Sequence, residues 1–520
     1  MGEAGEVDRV GLAELIGALS LGIDLGFGQP MEHVLRQCWI ALRVAEHLGL
    51  DEQQRSVVYY TALLTNVGCH TDAHEQAKWF GDDIELKAVM YVHGLHGVRS
   101  AMARLGRLGA GQPVLRRLGI GLDFALSGHG EVDGMIAGHA AMARSLAEKI
   151  GLPVAVQDAV AASYERWDGK GWPGELEGEA IPIAARVSQL AELVEVAHRS
   201  GGVCAAAALA RKRAGGQFDP NVAVRFAAAA GEILDGLDGA STWDQVIAAE
   251  PVLSRPLSGG KLDEAIGAVA DFVDLKSPFT LGHARGLAQL VDDAGVQLGL
   301  GAGPLRTLRR AGLAQGLGRL GVSNAIWDKP GPLGPGEWER VRLQPYLTER
   351  ILQQSPALAA IGALAAQLRE RLDGSGYPRG LSGGAIALPA RLLGAADMYQ
   401  SMLEPRPHRP ARSPEEAALE VRADVRAGRL DGDAAEAVLV AAGHRVRPHR
   451  ERPAGLTERE VEVLRLVARG RSSKEIAADL TISPKTVRNH IEHIYVKTGA
   501  TSRVTASLFA IEHDLTATSP

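Results

Sequence analysis

The sequence predicts an all-α protein: two helical domains in tandem, followed by a small four-helix domain. Three observations support this. Apolar residues recur at three- and four-residue spacing in DEAIGAVADFV (263–273), AEAVLVAAG (435–443) and EREVEVLRLVARG (458–470), with Gly or Pro between segments and little period-two alternation. Two distant stretches answer each other, ERWDGKGWP at 165–173 and ERLDGSGYP at 370–378. The C-terminal segment carries a succession of helix caps. A chain of 520 residues exceeds one core, given roughly 100 to 200 residues per domain.

The repeat orders the first part of the chain. Counted back equally from Asp168 and Asp373 stand His139 and Gln344; counted forward stand Arg186 and Arg391, then Glu192 and Asp397. Upstream, MEHVLRQCWIAL around His33 matches TLGHARGLAQLV around His283. The first copy is placed at 1–255 and the second at 256–441. The first carries an insertion between His74 and Gly130, where GRLGAGQPVLRRLGIG reads as loop and short helix. Gly374 and Gly376 suit a turn needing backbone angles barred to other residues, and Pro378 stops a helix. Such a turn folds without performing any chemistry.

A linker follows at 442–455, where GHRVRPHRERPAG has four Arg, two Pro and no apolar period. The last domain is placed at 456–520. Thr457 with Glu460 and Ser472 with Glu475 form capping boxes, Leu456 and Val461 staple the first helix start, and Gly470 ends that helix. Ser483 caps a third helix with Pro484 at its first position. Along it Val487, Ile491 and Ile494 form a buried stripe opposite Lys485, Arg488, Asn489 and Glu492. A scaffold helix, a turn and a capped basic helix are what a helix-turn-helix needs to enter the major groove of double-stranded DNA.

Charge and composition narrow the class. Between Ala442 and Leu515, 13 Lys and Arg face 9 Asp and Glu, so the rest of the chain, at a total of -6, carries about -10. The hydrophobic fraction of 46% and charged fraction of 23% suit a globular protein. No secretory segment and no apolar run of membrane-spanning length are read, so a cytoplasmic protein without a membrane partner is expected. Cys38, Cys69 and Cys204 lack metal or disulfide spacing and read as small buried side chains. His70 and His74 in HTDAH stand at i and i+4 but lack a third ligand, so no metal is expected there. No GxxxxGK phosphate loop supports ATP hydrolysis.

The C-terminal segment, through TEREVEVL, EIAADL, ISPKTVRNHIEHIY and the Lys497-x-Gly499 end, resembles the LuxR-type helix-turn-helix of bacterial transcription regulators. That resemblance implies DNA contacts by Ser483, Lys485, Thr486, Arg488, Asn489 and Lys497, and pairing of two subunits through the fourth helix. Ser473 departs from the more usual Asn.

The two copies resemble the HD-GYP branch of metal-dependent phosphohydrolases, known for cleaving cyclic di-GMP. The resemblance implies His and Asp ligands around two metal ions that activate water. Of these positions His33 and His139 remain in the first copy, and His283 and Asp397 in the second. Thr65, Asn66, Ser163 and Tyr164 replace ligands in the first; Gln315, Gly316, Gln344, Leu368 and Arg369 do so in the second. The expectation is therefore of degenerate copies without catalytic residues, metal or cofactor: no enzyme, but a homodimeric DNA-binding regulator whose copies sense a small-molecule or nucleotide effector or serve dimerisation. The alternative is an active phosphohydrolase of the cyclic di-GMP phosphodiesterase type with a DNA-binding tail, kept open by Arg186, Arg391 and Asp397 as cleft residues.

Overall fold

The computed structural model describes residues 9–93, 106–110, 113–124, 129–239, 241–250, 256–445, 453–513 and 515–516. Among them the chain is helical, as its apolar spacing requires. Two short strands, Arg9–Val10 and Leu257–Ser258, pair antiparallel just ahead of the first helix of each copy.

The first copy runs through helices Leu12–Gly26, His33–His47, Glu52–Leu64, Ala73–Phe80, Asp83–His93, Val114–Asp123, His129–Lys149, Val154–Ala161, Ile183–Arg213, Pro220–Ile233 and Thr242–Ala248. The second runs through Gly259–Asp274, His283–Gln297, Ala302–Ala314, Asn324–Trp327, Pro335–Leu352, Pro356–Ala365, Leu388–Leu403, Pro414–Arg426 and Gly432–Ala441. Of the insertion, Val114–Asp123 is the short helix expected, while residues 111–112 of the quoted loop lie outside the described residues. Residues 446–452 of the linker also lie outside them.

The repeat is visible in backbone detail. The helices at His33 and His283 both start after a left-handed residue, Glu32 at φ 79° and Gly282 at φ 76°. Asp24 accepts the N–H of Val34 at 3.2 Å, and Asp274 that of Ala284 at 2.9 Å, so each start is held by a buried carboxylate. A Cβ at Gly68 would overlap the carbonyl of His139, and one at Gly318 that of Gln344. These are matched positions, so glycine lets the same long helix sit on the same turn in each copy, and this fixes the alignment of Gln315 and Gly316 with Thr65 and Asn66.

The copies interlock. One buried apolar cluster extends from Val10 to Leu439, and a separate one from Leu456 to Leu515. His70 of the first copy donates from Nε2 to the Phe272 carbonyl of the second at 2.7 Å. Asp83 accepts from Ser323 Oγ at 2.7 Å and Asn324 N–H at 2.8 Å, and faces Lys276 Nζ at 3.4 Å and Lys87 Nζ at 3.5 Å. Lys276 is wholly buried, so its charge depends on this carboxylate. Asp83→Ala is expected to cost about 3–5 kcal/mol by stranding that ammonium. Urea unfolding followed by circular dichroism checks it; a loss below about 1 kcal/mol would remove Asp83 from this role.

Candidate functional sites

In each copy the cleft is bounded by the His helix start, the short turn at Val67–His70 or Leu317–Gly321, the DG turn, and the helix Ile183–Arg213 or Leu388–Leu403. The DG turns share one construction. Gly169 and Gly374 take φ of 68° and 80°. At Gly376 glycine is required by closeness, not by backbone angle, since a Cβ would lie 2.5 Å from the Arg369 carbonyl oxygen. Buried Glu165 accepts the N–H groups of Gly174, Glu175 and Leu176, and buried Glu370 those of Arg379 and Leu381, both at 2.8 Å. These glutamates clasp the turn, a role that their place in both quoted motifs could have signalled.

In the first cleft His33 Nδ1 lies 2.6 Å from Glu195, which also accepts from Arg36 at 2.9 Å and Arg199 at 3.0 Å. Burial pushes the Glu195 carboxyl up, but its cationic neighbours, led by His33, hold it at about 2. Burial raises Asp24 to about 7. Asn66 Nδ2 donates to Glu192 at 3.1 Å. His139 Nε2 meets Asp72 at 2.9 Å, and the Cys69 sulfur lies 2.8 Å from the Tyr164 hydroxyl.

In the second cleft His283 Nδ1 lies 3.0 Å from Glu404, and its Nε2 lies 3.3 Å from Asp397. Arg369 Nη1 approaches Asp397 to 2.7 Å, and Arg406 donates to Glu404 at 2.8 Å and to the Phe279 carbonyl at 2.7 Å. Burial opposes ionisation of Asp397, but Arg369 and His283 hold it well below the usual carboxylate range. Gln344 does not face a metal seat: its Nε2 donates to the Gln315 carbonyl at 2.6 Å.

The metal ions that the resemblance implies do not fit these residues. In the second copy Arg369 sets a guanidinium against the late carboxylate, Asp397, and among the described residues no three His, Cys, Asp or Glu are gathered to hold a metal. His70 and His74 are not one helical pair either. His70 sits in the short turn, driven down to about 3 by burial, whereas His74 bonds Asp328 at 2.8 Å from the next helix. Arg186 and Arg391, read as cleft residues, instead bind Asp219 at 2.6 Å and Asp431 at 3.0 Å, and those aspartates cap the helices that follow. Cys204 is exposed rather than buried.

The C-terminal domain consists of helices Glu458–Ala468, Ser473–Asp479, Pro484–Thr498 and Arg503–Glu512. Both capping boxes form, and Val487, Ile491 and Ile494 enter the core. Ser483 accepts from the Thr486 N–H at 3.1 Å, which starts the third helix with Ser483, Lys485, Thr486, Arg488 and Asn489 all exposed. Lys497 is placed differently: its Nζ bonds Glu460 at 2.8 Å, which ties the helix end to the first capping box.

The HD domain pattern matches residues 131–222 and 267–434, and that of bacterial regulatory proteins of the luxR family matches 454–510. The chain belongs to the HD domain family. It carries two HD-GYP-like copies and ends in a luxR-family helix-turn-helix domain. It is 31% identical to the 3'3'-cGAMP-specific phosphodiesterase 3 of Vibrio cholerae over 77% of this chain and 88% of that protein. A crystal structure of a cyclic GMP-AMP specific phosphodiesterase of V. cholerae, V-cGAP3, superposes with a TM-score of 0.58 at 26% identity, covering 84% of this chain and 99% of that one. The uncharacterized transcriptional regulatory protein YhcZ of Bacillus subtilis is 44% identical over 13% of this chain and 32% of its own length.

These relatives correct one expectation. The missing ligands led to a reading of no enzyme, but the chain's kinship over most of its length is with phosphodiesterases, which restores phosphohydrolase activity as a property to be assayed. Among the described residues no helix is long and apolar enough to cross a membrane.

Burial would lower His139, but Cys69 and Asp72 raise it from 6.5 to about 10. A folded-state value above the unfolded one stabilises fully below pH 6.5, and that contribution is lost as pH rises towards about 10. The melting temperature is expected to fall across that window in wild-type protein and to fall less in His139→Gln. Equal slopes in scanning calorimetry would exclude the coupling.

Proposed function

We propose that the chain is a transcription regulator that binds double-stranded DNA as a homodimer, with the tandem HD region (residues 1–255 and 256–441) taking a cyclic dinucleotide as effector. The observation that carries the DNA reading is the third C-terminal helix, whose apolar stripe is spent on the core while Lys485, Arg488 and Asn489 are left exposed with Ser483 and Thr486 at its capped start. Cations there neutralise phosphate, and Arg or Asn can pair with base edges. One such helix reads few base pairs, which favours two subunits on two half-sites. Val504, Leu508 and Ile511 stand exposed on one face of the fourth helix, at 69%, 52% and 59%, as a pairing surface would require. The effector class is taken from the 3'3'-cGAMP specificity of the V. cholerae relative.

Kinship favours a second reading, hydrolysis of a cyclic dinucleotide within the HD region. Incubation of the full-length protein with 3'3'-cGAMP and Mn²⁺, followed by chromatography of linear products, tests it. Sustained turnover would establish the enzyme, and none with Mn²⁺, Mg²⁺ or Fe²⁺ would leave binding alone.

Selection from genomic DNA fragments should enrich particular sequences. Lys485→Ala with Arg488→Ala should abolish that selection and lower the salt slope of residual binding by about one to two. Leu508→Glu should weaken binding to paired half-sites more than to a single one. Unselective binding by wild-type protein, with 3'3'-cGAMP present or absent, would overturn the regulator reading.

A further inference from the structure

The second HD copy differs from the first in the sign of its cleft. Arg319 stands where the first copy has Cys69, and Arg369 where it has Tyr164. Arg319 is 6% exposed and stacks 5.3 Å over the Trp327 ring. Among the described residues its Nε and Nη1 have no hydrogen-bond partner. Contacts of 2.7 Å from Arg369 to Asp397, 3.3 Å from Asp397 to His283, 3.0 Å from His283 to Glu404 and 2.8 Å from Glu404 to Arg406 make one connected cluster, and the charges of Asp274, Arg406, Arg369 and Asp397 act on Arg319. Arg369 and Arg406 reach solvent with side chains 27% and 17% exposed, so the cluster opens at its lip.

Three guanidiniums and the His283 imidazole stand among three acids, Asp397, Glu404 and Asp274; burial raises Asp274, whereas Asp397 and Glu404 are lowered by the cationic groups they touch. Arg369 touches Asp397, but the contact lacks hydrogen-bond alignment: among the described residues both Asp397 oxygens are without a hydrogen-bond partner. Buried donors without acceptors cost stability unless a ligand supplies oxygens. The ligand that suits several guanidiniums is a tetrahedral oxyanion, whose oxygens take paired N–H bonds from each fork.

We propose that the second HD copy holds a metal-independent site for a phosphoryl anion, built by Arg319, Arg369 and Arg406 where the family's metal ions would sit. It rests on the effector reading above and deepens it: the phosphodiester of a cyclic dinucleotide is held by arginine instead of by metal. Free phosphate offers the same chemistry and is the other source to be distinguished.

The test is calorimetric titration of full-length protein with 3'3'-cGAMP and, separately, inorganic phosphate, each in excess EDTA and then in Mn²⁺. Binding of 3'3'-cGAMP is expected to survive EDTA. Arg369→Gln and Arg406→Gln should each weaken it about tenfold or more, with Arg369→Lys recovering only part, since a point charge lacks the fork. Unchanged circular dichroism shows that the variants fold, and Arg406→Gln serves if Arg369→Gln does not. Saturable phosphate binding that the same variants lose, without 3'3'-cGAMP binding, supports the anion site and makes free phosphate its ligand. Binding of 3'3'-cGAMP that needs Mn²⁺ and ignores both arginines overturns the site but leaves the effector reading intact. No binding of either probe overturns both, without touching the DNA reading.

Discussion

A glycine at the foot of each cleft lets a long helix touch the backbone of the turn beneath it, and the rest of both copies follows from that approach. Gly68 meets the His139 carbonyl and Gly318 that of Gln344, with no room for a side chain at either. The approach brings the turn, the long helix and the His helix start together. Once these are fixed, whichever side chains the sequence supplies must face one another. The fold therefore survives replacement of His139 by Gln344, because the contact is made by backbone. Architecture and cleft chemistry are separately encoded.

What faces what then follows from charge. Each copy keeps its buried histidine by giving it a carboxylate, but from different places. In the first, Glu195 holds His33 and Arg199 supports Glu195; in the second, Glu404 holds His283 and Gln400 supports Glu404. Glu195 matches Gln400 and Arg199 matches Glu404, so acid and helper have exchanged places one helical turn apart. Residues at i and i+4 share a face, so either can reach the same imidazole. The second copy has gone further and set Arg369 against Asp397.

This exchange shows where the sequence was legible and where it was not. The repeat, the all-α class and the C-terminal caps could be read because they rest on local spacing: Thr457 with Glu460, Ser472 with Glu475, and Pro484 after Ser483 each act within one turn. His33, His139, His283 and Asp397 could be named from the repeat, but their partners were not foreseen. Glu195 and Glu404 do not align, so the repeat hid them. Arg319 aligns with Cys69 and could have been found by pursuing the register. Arg186 and Arg391 misled because a matched arginine looks like a cleft group, whereas its partner is an aspartate that caps a later helix, 33 residues on in the first copy and 40 in the second. Missing ligands alone pointed away from an enzyme, whereas the kinship of the whole region lies with phosphodiesterases.

Arginine and metal answer the same anion differently. A divalent ion binds phosphate oxygens and also acidifies a bound water; a guanidinium binds the oxygens in a plane and keeps its protons. Hydrolysis at the Arg369 seat would thus need its water activated from elsewhere, whereas binding needs nothing more. A phosphoryl group there competes with Asp397 for Arg369, and Asp397 also meets His283, whose helix start is held by Asp274. Occupancy would be felt at the helix start that the two copies share by symmetry of construction. Its effect on DNA binding is bounded by the ligand's differential affinity for the two arrangements of that helix, so a tightly held ligand with no such preference would change nothing.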